Sequence, residues 1–174
     1  MLRKVLLAGF FTCFLNVSFA QRAAVEQEPK STRLERYTND VLDFAEQHLH
    51  IRYRSGGTTK GGFDCSGFVR FCFKNFGMLL PHSSASMKSL GHEVAKKDCQ
   101  PGDLIFFKGG NSHSNRIGHV GIVSEVKDGK IRFIHSAYNG GVRFDWLDQE
   151  KYYQTRFSGL RRVIGVLDFL PSES

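Results

Sequence analysis

From Gly61 to Phe73 the chain reads Gly-Gly-Phe-Asp-Cys-Ser-Gly-Phe-Val-Arg-Phe-Cys-Phe, a sharp turn that opens directly into a helix. The two glycines supply the tight backbone. Asp64 is a good N-cap, because its carboxylate can accept from the free amides of the first turn, so the helix starts at Cys65. Phe68, Val69, Cys72, Phe73 and Phe76 give this helix an apolar side that has to be buried under a sheet. A thiol at the first helical position faces unpaired N–H groups and the positive end of the helix dipole, both of which favour thiolate. Cys65 is therefore the candidate nucleophile, and Cys72, two turns on among aromatics, reads as a buried small hydrophobe.

A chain of 174 residues that is 41% hydrophobic supports one domain with a proper core and leaves no room for a second. Residues 1–20 read as a secretory signal peptide, with Arg3 and Lys4 as a basic start, an apolar run from Val5 to Leu15 and the small-x-small site Ser18-Phe19-Ala20. That run is shorter than the roughly 20 residues a spanning helix needs, so no stable membrane insertion is expected after cleavage. Export to the periplasm or the extracellular space follows. Residues 21–33 are polar and read as a flexible leader, which leaves 34–170 as the folded domain. Cys65, Cys72 and Cys99 remain after cleavage, an odd number that cannot all pair internally. The formal charge of +7 becomes +5 without Arg3 and Lys4 and is spread along the chain. No basic helix or RNA motif accompanies it, so a nucleic-acid partner is not expected and an anionic envelope polymer is.

Apolar residues at Leu34, Tyr37, Val41, Phe44, Ala45 and Leu49 predict a first helix over 38–49, capped by Thr38 or Asn39. After Gly77 and Pro81 a serine can cap a further short helix within 83–90. Beyond Asp98 the period changes from 3.6 to 2. Strands are expected at 104–107, 117–126, 130–138 and 158–168, with a loop and a Trp146 segment before the last. Helices first and antiparallel strands second make an α+β fold.

A nucleophilic thiol needs a base, and imidazole suits neutral pH. His48 and His50 close the first helix and are expected to face solvent or to complement the helix dipole, while His82, His92 and His113 lie in loops and His82 is given no role. His119 and His135 lie on paired strands. A two-residue turn at Asp128-Gly129 would put them on opposite faces of the sheet. A three-residue loop, Lys127-Asp128-Gly129 with Gly129 left-handed, puts them on one face, and Gly129 favours that register. His119 then serves as base and His135 orients it. A zinc site built from Cys65, His119 and His135 is the rival, but zinc does not need a glycine-framed helix start.

Tyr53-Arg54-Ser55-Gly56-Gly57, Phe63-Asp64-Cys65-Ser66-Gly67-Phe68-Val69, Pro101-Gly102-Asp103-Leu104-Ile105-Phe106-Phe107 and Gly118-His119-Val120-Gly121-Ile122 followed by His135 closely resemble the NlpC/P60 family of cell-wall cysteine peptidases. The resemblance covers about residues 40–168. It implies a papain-like fold, with N-terminal helices packed on a central antiparallel sheet. It also implies hydrolysis of peptidoglycan stem peptides or muropeptides, typically at the γ-D-glutamyl bond to diaminopimelate or lysine. Cys65 matches the nucleophile, His119 the base, His135 the polar third member, and Tyr53 a tyrosine whose hydroxyl helps hold the oxyanion. Asp64 and Ser66 match positions that receive the free amine of an N-terminal L-alanine. No metal or organic cofactor is implied, and a monomer is expected. Two rival readings remain: a muropeptide-binding module that does not cut, and an acyltransferase using the same Cys and His chemistry.

Overall fold

The structure is a computed structural model that describes residues 29–110 and 113–165; the expected signal peptide, the leader up to residue 28 and the end of the last expected strand lie outside these residues. The chain divides into two compact units, up to Glu35 and from Arg36 onward. Of the first unit, residues 29–35 are described, and they open helix α1 (Lys30–Glu46). This helix starts well before the expected residue 38 and ends before 49. Thr38 and Asn39 lie inside it rather than capping it, since Pro29 immediately precedes it and nothing between Lys30 and Glu46 breaks it. A turn at 47–50 follows, with His50 in the left-handed region at φ 67°.

A two-stranded hairpin, β1 (Thr58–Thr59) and β2 (Gly62–Phe63), leads into α2 (Cys65–Asn75). Asp64 is its N-cap, as expected. Short helix α3 (Ser84–Met87) is capped by Ser83. Strands β3 (His92–Val94), β4 (Leu104–Lys108), β5 (Ile117–Lys127), β6 (Lys130–Ala137) and β7 (Gly141–Trp146), helix α4 (Lys151–Arg156) and strand β8 (Phe157–Arg162) complete the described chain. Six of the strands form one antiparallel sheet in the order β3-β8-β4-β5-β6-β7. The α+β expectation is met. The hairpin strands β1 and β2, where a polar loop was expected, went unforeseen, as did β3, α4, and β7 in the Trp146 segment.

The unbroken apolar run of β4 has a direct cause, because the sheet is covered on both sides. Leu104 and Phe106 join Phe68, Val69, Cys72 and Phe73 of α2 and Val41 and Ala45 of α1 in one core, while Ile105 and Phe107 join Phe133, Leu147, Tyr153 and Leu160 in a second. Each of the fully buried phenylalanines contributes about 2 kcal/mol of apolar burial. His48 belongs with the core rather than with solvent. It is 4% exposed, its Nδ1 lies 2.7 Å from the Phe44 carbonyl oxygen, and its ring packs on Phe44 and Phe71.

The hairpin between β5 and β6 corrects the expected register. Lys127 pairs with Lys130, so the turn has two residues, Asp128 and Gly129, at φ 50° and φ 72°, the positive pair that such a turn demands. A bulge at Ser124 then shifts the pairing by one, and from Val123 onward the partners are those of the three-residue expectation: Val123 with Phe133 and Ile122 with Ile134. The two histidines share a face because of the bulge and not the turn.

Candidate active site

Asp64 folds the start of α2 around its own carboxylate. Oδ1 accepts from the Gly67 amide at 2.7 Å and from Ser66 Oγ at 3.0 Å. The loop before it is bound closely to the helix: the Asp64 amide donates to the Gly57 carbonyl, and a Cβ on Gly67 would collide with that same oxygen. Ser136, next to His135, donates to the Phe63 carbonyl at 2.8 Å and so ties β6 to the turn that carries Cys65.

The Cys65 sulfur stands against the backbone of β5 on either side of His119. Its thiol donates to the Gly118 carbonyl at 4.0 Å, and the Val120 amide donates to the sulfur. Burial pushes the thiol above its ordinary value, and the amides of Val120 and Ser66 only partly offset this. The sequence expectation of a readily ionised thiol is therefore corrected, because desolvation outweighs the helix end. His119 Nε2 lies 2.7 Å from His135 Nδ1 with the rings nearly perpendicular. Burial, followed by the neighbouring His135, holds the His119 ring well below the ordinary histidine range, and burial also lowers His135. At neutral pH a neutral thiol meets a pair of neutral imidazoles. Such a set can transfer a proton from sulfur to ring as the sulfur attacks a carbonyl.

Tyr53, Cys65, His119, Tyr138 and Tyr152 line a cleft of about 540 Å³. The Tyr53 phenol is raised by burial first and then by nearby Cys65 and Asp64, so it stays a hydroxyl donor. Neither Asp64 nor Ser66 is among the described residues that line this cleft; both are turned into the helix cap. All three described cysteines are free, with Cys72 and Cys99 buried, and burial raises Cys99 to about 12. Cys72 is the buried hydrophobe that its position foretold.

The NlpC/P60 family model matches residues 50–162. This chain belongs to the NlpC/P60 family. It is 36% identical over 125 residues to the Murein DD-endopeptidase MepS/Murein LD-carboxypeptidase of Escherichia coli, an alignment covering 71% of this chain and 62% of that protein. It is 33% identical over 124 residues to the Gamma-DL-glutamyl hydrolase of Bacillus subtilis, covering 70% of this chain and 28% of that one. The chain thus spans less than two thirds of the length of these relatives. Among solved structures it superposes on an NlpC/P60 family protein from Bacillus cereus with a TM-score of 0.65 and 30% identity, over 73% of this chain and 40% of that one. The papain-like fold of the family is the fold described above.

In this NlpC/P60 domain two groups at the site have no counterpart in the sequence reading. His82 Nε2 lies 3.1 and 3.0 Å from the two Asp64 carboxylate oxygens, although the residues are 18 apart in sequence and no local pattern links them. Behind His135, Asp145 Oδ2 lies 2.8 Å from Nε2 and accepts from Tyr153 and Arg143. The alternation Val142-Arg143-Phe144-Asp145 is the signal that would have placed Arg143 and Asp145 on one side of a strand.

Proposed function

We propose that this chain is an exported cysteine endopeptidase that hydrolyses peptidoglycan stem peptides. The observation that carries the reading is the Cys65 sulfur at a helix start against β5 at His119, whose ring contacts His135. In this reading His119 takes the thiol proton as the sulfur attacks the scissile carbonyl, and the oxyanion is held by the Cys65 amide and the Tyr53 hydroxyl. His119 then protonates the leaving amine, and water activated by the same ring hydrolyses the thioester. His135 orients His119. Asp64 and Ser66 receive the free amine of the substrate, which exchanges for the His82 contact on the same carboxylate. The signal-like residues 1–20 support export, and the monomer expectation is retained.

The bond proposed is the γ-D-glutamyl bond to diaminopimelate or lysine, a choice supported by the family resemblance and by the name of the Bacillus subtilis relative. The name of the Escherichia coli relative favours a second reading, cleavage of a D,D bond in cross-links. Digestion of purified wall material and of defined muropeptides, followed by mass identification of the new termini, separates the two. It also separates hydrolysis from acyl transfer, which would yield an adduct, and from binding alone, which would yield nothing. Cys65→Ala is expected to abolish cleavage, and a Cys65→Ala protein that cuts at the wild-type rate would remove the proposal.

A further inference from the structure

We propose that Asp145 is a positioning residue that sets, through His135, which nitrogen of His119 carries the proton. The inference rests on the reading of His119 as the base. Asp145 Oδ2 accepts from Arg143 Nε at 3.0 Å, from Arg143 Nη2 at 2.8 Å and from the Tyr153 hydroxyl at 2.9 Å, and His135 Nε2 stands 2.8 Å from the same oxygen. An ionised carboxylate can only accept, so His135 has to carry its proton on Nε2. Its Nδ1 is then a bare lone pair. Across the 2.7 Å contact, His119 Nε2 must in turn be the donor. A neutral ring protonated at Nε2 keeps Nδ1 as its basic nitrogen, which is the one left to take a thiol proton. With His135 protonated on Nδ1 instead, His119 would accept at Nε2, carry its proton on Nδ1 and lose the ability to act as a base.

The surroundings keep the carboxylate in its accepting form. Burial works against the charge, but the His135, Tyr153 and Arg143 hydrogen bonds outweigh it and hold Asp145 below its ordinary value. His135 is fully buried, so no solvent competes for its Nε2. The Tyr153 hydroxyl also lies 3.5 Å from that nitrogen, a donor ready to occupy it if the carboxylate were removed.

Histidine 15N NMR on the full chain at about pH 8 reads the tautomers without substrate. The wild-type protein should show His119 and His135 both protonated at Nε2. In Asp145→Ala, Tyr153 donates to His135 Nε2, both tautomers invert, Cys65 alkylation slows and kcat/KM falls on the order of 10²-fold with little change in KM. In Asp145→Asn, Arg143 and Tyr153 hold the amide oxygen where the carboxylate oxygen stood, so the tautomers persist and kcat/KM stays above that of Asp145→Ala. A wild-type His135 protonated on Nδ1, unchanged tautomers in Asp145→Ala, or equal losses in both variants would each overturn the proposal. If Asp145→Ala does not fold, the wild-type spectrum alone decides. Failure of the peptidase reading is seen separately, through Cys65→Ala, because neither the spectra nor the alkylation rates need peptidoglycan.

Discussion

Cys65 and His119 are neutral at rest, and that has a measurable consequence. A preformed thiolate–imidazolium pair would alkylate at an even rate from about pH 5 to about pH 8. Here burial raises the thiol and lowers the ring. Iodoacetamide labelling of Cys65 should therefore climb throughout that range, with a half-point no lower than that of an ordinary cysteine. A flat profile would contradict the assignment. The Asp64 carboxylate carries a second prediction. Because His82 occupies both of its oxygens, His82→Ala should free it for a substrate amine and lower KM about threefold for a peptide with a free N-terminus. The same peptide acetylated at its amine should show no change.

The bulge in β5 makes the site possible. Deleting Ser124 removes the extra residue, and residues 117–123 must then exchange faces or lose their pairing with β6. Loss of activity by about 10³-fold or more is expected, together with a lower melting temperature. Gly129→Ala, by contrast, places a Cβ in open space at φ 72°. It should cost about 1 kcal/mol in denaturant unfolding and leave kcat unchanged. The same strand pair shows how far the sequence could be read. The turn-to-helix stretch at Cys65, the strands around His119 and His135 and the antiparallel class were legible, because each is written in a local period or a local turn. The bulge was not, since Ser124 differs from its neighbours in no way a pattern detects. His82, Tyr153 and Asp145 were hidden for a similar reason, as each meets its partner only after the chain has folded back from another element.

For the protein as a whole, the buried imidazoles give its stability a definite pH dependence. His135 binds its proton less readily when folded than the ordinary histidine value of about 6.5. Below that value the unfolded chain takes up more protons than the native one. The contribution is complete above about pH 6.5 and is lost as pH falls towards the native value, with a slope of up to about 1.4 kcal/mol per pH unit. Melting temperatures measured from about pH 7.5 down to about pH 5 should fall, and a His135→Asn variant should show a shallower fall. An equal slope in both proteins would contradict the assignment.

None of the three described cysteines is bridged, and the buried Cys72 and Cys99 are shielded from solvent. Peroxide and hypochlorite outside a cell attack sulfur chiefly in its anionic form. If Cys65 is the nucleophile proposed above, a sulfur that stays protonated until a peptide arrives offers such oxidants little to react with.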